Sequence, residues 1–330
     1  MGVFPDAAFL EQLHLDPSIE YIEPNQVYKS TFVVPHHSHI KQRRGNKEPS
    51  PDWGLARINQ RQRGELETYE YDPSSGTGVN IYVLDTGVYT DHQDFEGRAK
   101  HSANFVEHEK DGDMGGHGTH VAGKIAGKTY GVAKNATIHS VKILNQNGDG
   151  LTSSLIRGLT HVIEKAQSGK SIINLSLSGP KSESIDDIVE HVVKDYGIPV
   201  FVSAGNAGKD ACDFAPSSNP NVFSVGASDI ADNVPSYSNY GPCVRLYAPG
   251  SHIVSTYYRS EDDVKAMDGT SMSTPHVVGI AANLMSRYDF KEPQELYDML
   301  ISSSTTNALK FSAGHEEDGN ANMLAYNTFF

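Results

Sequence analysis

Val79-Asn80-Ile81-Tyr82-Val83-Leu84-Asp85-Thr86-Gly87 reads as a buried strand that ends on a carboxylate and then turns. Its near-continuous apolar run suits a strand covered on both faces. The pattern returns downstream in Ala136-Thr137-Ile138-His139-Ser140-Val141-Lys142-Ile143, in Ile172-Ile173-Asn174-Leu175 and in Pro199-Val200-Phe201-Val202. Helical periodicity fills the gaps. Leu155, Ile156, Leu159, Val162, Ile163 and Ala166 share one face, and so do Ile185, Ile188, Val189, Val192 and Val193. Such alternation predicts an α/β fold, a three-layer sandwich with a mostly parallel central sheet. In sheets of this kind functional groups gather at the carboxyl ends of the strands. Asp85 stands at one such end and Asn206 follows another.

Composition bounds the function classes. The 330 residues are 38% hydrophobic and 21% charged, as in ordinary globular proteins, and suffice for one large domain with a small appendage. No apolar run approaches the roughly 18 residues of a membrane span. A formal charge of −14 disfavours nucleic acid and anionic membrane surfaces, which need clustered Lys and Arg. The start, Met1-Gly2-Val3-Phe4-Pro5, lacks a basic and then apolar leader, so no signal peptide is expected in this chain. By composition, Cys212 and Cys243 fit either two buried thiols or one bridge.

Three glycine-rich segments carry the chemistry: Asp85-Thr86-Gly87, Gly116-His117-Gly118-Thr119-His120 and Gly269-Thr270-Ser271-Met272-Ser273-Thr274-Pro275. They supply a carboxylate, an imidazole and a hydroxyl, the three groups that serine-based acyl transfer requires. Ser271 opens a helix through Val277, Val278, Ala281, Ala282 and Leu284, where a lone serine would be a simple N-cap. Asp-Thr-Gly also occurs in aspartic proteases, but these need a second copy and none is visible. His117 and His120 fit a metal pair, yet no third ligand stands at metal spacing. An α/β-hydrolase needs Ser before Asp before His and a Gly-x-Ser-x-Gly turn, and neither is present.

Ahead of the first strand the chain is less regular. Phe9-Leu10-Glu11-Gln12-Leu13 reads as part of an amphipathic helix, and Ile19-Glu20-Tyr21-Ile22-Glu23-Pro24 as an edge strand stopped by proline. From Lys29 to Asp52 no periodicity is usable. His36, His37 and His39 fit a metal cluster or a solvated linker, and Arg43-Arg44 is an expected protease-sensitive spot. Residues 293–303 predict a last helix, and Asn322-Met323-Leu324-Ala325-Tyr326 a closing strand.

The order Asp85, His117, Ser271 is the subtilisin order. With those three motifs in place, the chain resembles the subtilisin-like serine proteases, in the proteinase K branch and nearest its fungal vacuolar, cerevisin-like members. The resemblance implies a serine endopeptidase. His117 would be the general base, steadied by Asp85, with Ser271 as nucleophile and Asn206 as the side-chain donor of the oxyanion hole. Extended substrates would lie between Gly148-Asp149-Gly150 and Ser176-Leu177-Ser178, with a broad apolar or aromatic preference. Ser178 departs from the usual glycine and narrows the first side-chain pocket. The resemblance divides the chain into a partial propeptide at 1–28, a processing linker at 29–52, and a peptidase domain at 53–330 that opens on Trp53-Gly54-Leu55. The partial propeptide is the remnant of a small α+β unit, and in this family it is a folding helper and inhibitor. The likeness also implies a Cys212–Cys243 disulfide, a cis Ala215-Pro216 bond, a monomer, and a vacuolar, other secretory-pathway or secreted location. No cofactor is expected. Where the family places a calcium-binding Asp, this chain has Arg245, and a fixed cation there argues against the ion. A catalytically silent or autoinhibited binding protein on the same fold is the alternative.

Overall fold

Strands with both faces apolar need helices on both sides, and the chain provides them. The computed structural model describes residues 7–33, 51–312 and 319–328. In chain order the first half contains α1 (Ala7–His14), β1 (Val27–Ser30), α2 (Trp53–Arg57), β2 (Asn80–Asp85), β3 (Ala99–Asn104), α3 (His117–Ala126), β4 (Thr137–Lys142), β5 (Asp149–Leu151) and α4 (Thr152–Lys165). Then come β6 (Ser171–Leu175), β7 (Leu177–Pro180), α5 (Glu183–Lys194), β8 (Val200–Ser203), β9 (Phe214–Ala215), β10 (Phe223–Ser228) and β11 (Leu246–Pro249). The chain finishes with β12 (Ile253–Thr256), β13 (Val264–Met267), α6 (Thr270–Met285), α7 (Pro293–Ser303), β14 (Thr305–Thr306) and β15 (Met323–Leu324).

Nine strands form the central sheet in the order β14-β15-β11-β10-β8-β6-β2-β4-β3. Every neighbouring pair is parallel except β14 with β15. The pleat sorts side chains into two cores. Ile81, Val83, Ile172 and Phe201 face α2, α3, α6 and α7, whereas Tyr82, Leu84, Ile173, Leu175, Val200 and Val202 face α4 and α5. Helices α3 and α6 are buried on all sides, so their small residues pack closely between neighbours. Cys212 and Cys243 are bridged, with Cα atoms 5.3 Å apart, and the Ala215-Pro216 bond is cis.

Two expectations need correction. Ile19–Pro24 forms no strand. Its partners are helix ends rather than a sheet edge, and side chains do the bonding. Glu23 accepts from the backbone N–H groups of Glu183 and Ser184 and from both Ser182 Oγ and Ser184 Oγ at the start of α5. Asn25 Oδ1 accepts from Ser153 N at the start of α4. The edge strand begins later, at Val27, and so includes Lys29 and Ser30 from the expected linker. Asp52 is buried, accepts from Lys124 Nζ of α3 at 2.9 Å, and pins the entry to α2. Burial opposes its charge, but Lys124 and His276 beside it hold its carboxyl well below the usual carboxylate range. His36, His37, His39, Arg43 and Arg44 lie outside the described residues.

Candidate active site

The tight turns found in the sequence bring their side chains to one end of the sheet. Asp85 is the last residue of β2, and its Oδ1 accepts from Thr86 N at 2.7 Å and from His117 Nδ1–H at 2.7 Å. Both residues are buried, and the bond leaves His117 Nε2 as the free ring nitrogen. That nitrogen is buried and has no hydrogen-bond partner among the described residues. His117 is held at the first turn of α3 by a residue that sequence reasoning missed. Asp113 accepts from Thr86 Oγ1 and from the Gly115 and Gly116 N–H groups on one oxygen, and from Thr119 N and Oγ1 on the other. It ties the Asp85 turn to the start of the His117 helix. Nothing in the local sequence distinguishes it from an ordinary turn aspartate.

His120, one turn further on, is enclosed. Its Nε2 lies 3.0 Å from the carbonyls of both Ile253 and Lys265. A ring nitrogen facing two acceptors must carry the proton. Burial, reinforced by the charges of Lys124 and His117, pushes its pKa down to about 3. His120 is therefore a neutral, enclosed packing group; no group of three His, Cys, Asp or Glu is placed for a metal among the described residues.

Ser271 occupies the first turn of α6. Pro275 lacks the N–H that would bond to the Ser271 carbonyl, and Ser176 Oγ donates to that carbonyl instead, at 3.3 Å. Asn206 follows β8, and its Oδ1 accepts from Thr270 N at 3.0 Å and Thr270 Oγ1 at 2.9 Å. Those bonds fix which way the amide points. Its Nδ2 is left buried and unpartnered among the described residues.

What lies between these groups is the chain's own segment. β1 pairs antiparallel with β5 and with β7, the two edges expected to hold an extended substrate. Tyr28 stands opposite Gly150, Lys29 opposite both Asp149 and Ser178, and Ser30 opposite Leu177. Ser30 N donates to Gly148 O at 2.8 Å. Gly148 has φ +80°, and a Cβ there would sit 2.1 Å from Ser30 Oγ, so this approach requires glycine. Thr31 ends the run. Its carbonyl accepts from Ser271 N at 3.2 Å, and its own N–H lies 3.1 Å from Ser271 Oγ. An added Cβ on Gly269 would fall 2.5 Å from Thr31 O and 2.9 Å from Asn206 Nδ2, which places both on one side of that glycine. Beyond Thr31, the Phe32 ring lies 5.4 Å from the His117 ring, and Val33 N donates to Asp268 O.

Asp85 and His117 are thus joined, and Ser271, Asn206, Ser176, Leu177 and Ser178 converge on residues 29–31. The His117–Ser271 hydrogen bond is not made. Ser271 Oγ donates to Ser176 O at 2.9 Å and lies 2.6 Å from Thr31 Oγ1, turned toward the bound segment.

Residues 76–320 match the subtilase family, peptidase S8. The chain belongs to that family. Subtilisin-like protease 1 of Pseudogymnoascus destructans is 41% identical over 275 residues, spanning 83% of this chain and 67% of that one. Subtilisin-like protease 4 of Trichophyton equinum is 39% identical over 321 residues, 93% of this chain and 77% of that one. The crystal structure of a cold-adapted subtilisin-like serine proteinase superposes with a TM-score of 0.78 at 38% identity, covering 84% of this chain and 98% of the other. This subtilase is a serine endopeptidase, and its substrates are proteins or peptides.

Proposed function

We propose that this subtilase is made as a zymogen that cleaves its own Thr31–Phe32 bond and then hydrolyses other proteins through an acyl-enzyme on Ser271. The observation that carries the reading is the Thr31 carbonyl seated on Ser271 N–H, with four preceding residues paired into the cleft as an added strand. For reaction, Ser271 Oγ swings from Ser176 O to His117 Nε2, which takes its proton. Oγ bonds to the Thr31 carbonyl carbon. The charge forming on Thr31 O is held by Ser271 N–H and by Asn206 Nδ2, which has no ground-state partner among the described residues. Collapse breaks the bond to Phe32, whose departing amine takes the proton from His117. Water then frees the 1–31 fragment from Ser271. Asp85 keeps the His117 tautomer throughout.

Until that cut the cleft is filled, so the chain is autoinhibited in this form. Glu23 and Asn25, bound to the starts of α5 and α4, would hold the fragment as an inhibitor afterwards. Apolar or aromatic preference is best placed four residues before the scissile bond, where Tyr28 is buried and its hydroxyl donates to Pro180 O at 2.8 Å. The 212–243 bridge favours an oxidising compartment, the vacuole or another station of the secretory route. Casein turnover that a serine-directed phosphonate abolishes is expected, and turnover indifferent to it would reject the acyl-enzyme.

The residues near Arg245 do not fit a calcium ion. Its Nε donates to Val222 O at 3.0 Å and its Nη2 to Pro220 O, so the guanidinium occupies loop carbonyls a cation would use. If this site holds no ion, EDTA removes no stabilisation there, and the thermal midpoint should stay within about 1 °C. A larger fall that calcium reverses would contradict this.

A further inference from the structure

Ser203 is the last residue of β8, fully buried, and its hydroxyl is committed in one direction: Oγ donates to Leu177 O at 3.0 Å. Its lone pairs therefore face the site as acceptors. Thr31 Oγ1 donates to Ser203 Oγ at 2.7 Å. Thr31 is the residue whose carbonyl meets Ser271 N–H, so this bond lies inside the pocket that receives the side chain preceding the scissile bond. Ser178 adds a second hydroxyl to the wall: a Cβ on Gly205 would lie 3.3 Å from its Oγ. An apolar side chain entering there gains burial but leaves Ser203 Oγ without a donor. A hydroxyl satisfies it.

We propose that Ser203 is a specificity residue that selects substrates with a small, hydroxyl-bearing side chain, threonine above all, before the cleaved bond. This rests on the Ser271 reading above and names its substrate class. Valine is the informative comparison, because it matches threonine in shape and cannot donate. A neutral, buried hydrogen bond made only by threonine is worth about five- to tenfold in kcat/KM. Larger discrimination would require a charged partner, and among the described residues Ser203 Oγ meets only Thr31 Oγ1 and Leu177 O.

The test uses the full chain and fluorescence-quenched peptides carrying Tyr-Lys-Ser-Thr-Phe-Val or Tyr-Lys-Ser-Val-Phe-Val, the first copied from residues 28–33. The wild-type enzyme should prefer the threonyl peptide about five- to tenfold. In Ser203→Ala the ratio of the two rates should fall to near one. Because it is a ratio within each enzyme, it is independent of the folded fraction. Cleavage of both peptides with valine equal or better in the wild type overturns the assignment, as does a ratio that survives Ser203→Ala. Either result leaves the Ser271 mechanism standing. Failure to cleave either peptide, together with failure of the phosphonate to label Ser271, would overturn both.

Discussion

Ser271→Ala should lower peptide hydrolysis by at least about 10⁴-fold, abolish phosphonate labelling and leave the chain uncut. The size of the loss follows from what the hydroxyl does. In the proposed reaction it is the atom that bonds to the Thr31 carbonyl, and among the described residues no second hydroxyl is placed to substitute: Thr31 Oγ1 belongs to the substrate side, and Ser176 Oγ is engaged with the Ser271 carbonyl. The fold should survive, because among the described residues the side chain's hydrogen-bond partners are the bound segment and one backbone carbonyl. Circular dichroism and the thermal midpoint check that point. A variant that keeps even a tenth of the wild-type rate would remove Ser271 from the chemistry.

Asn206→Ala should reduce kcat by about 10²- to 10³-fold with little change in KM. The split follows from Nδ2. Among the described residues it is buried without a partner while the Thr31 carbonyl is bound, so in the proposed reaction its full interaction belongs to the charged intermediate, and such a group acts on kcat. Part of the loss in alanine could be blamed on Thr270, whose N–H and hydroxyl lose their acceptor. Asn206→Asp separates the two effects. Aspartate keeps an acceptor for Thr270 and puts a carboxylate where the donor stood, so it should be at least as slow. If Asn206→Asp recovers the wild-type rate, the residue acts through Thr270 alone.

How much of this was legible depended on where each residue's partners lie. Strands β2, β4, β6 and β8 announce themselves because both faces are buried, and the helices between them because one stripe is. β3 has the polar sequence Ala99-Lys100-His101-Ser102-Ala103-Asn104 and pairs only with β4 at the sheet edge, so nothing local marks it. The alternation at Ile19–Pro24 misled for the converse reason: it has the period of a strand but meets helix ends. Asp85, His117 and Ser271 stand out because each sits in a glycine-rich turn that the backbone itself demands. β1 does not. Val27–Ser30 becomes a strand because Asp149–Leu151 and Leu177–Pro180, more than a hundred residues away, offer it two edges. Asp113 and Ser203 were missed because ordinary residues acquire their roles from tertiary placement alone. The place of Ser271 Oγ, against Ser176 O and Thr31 Oγ1 rather than His117, is likewise set by tertiary contacts, the latter across 240 residues.

The most direct measurement is intact mass with N-terminal sequencing of freshly produced chain, wild type beside Ser271→Ala. The wild type should yield a new terminus at Phe32 and a fragment ending at Thr31, while the alanine chain stays whole across that bond. A first cut elsewhere, or the same cut in the alanine chain, would contradict attack by Ser271 on the carbonyl that the structure places against it.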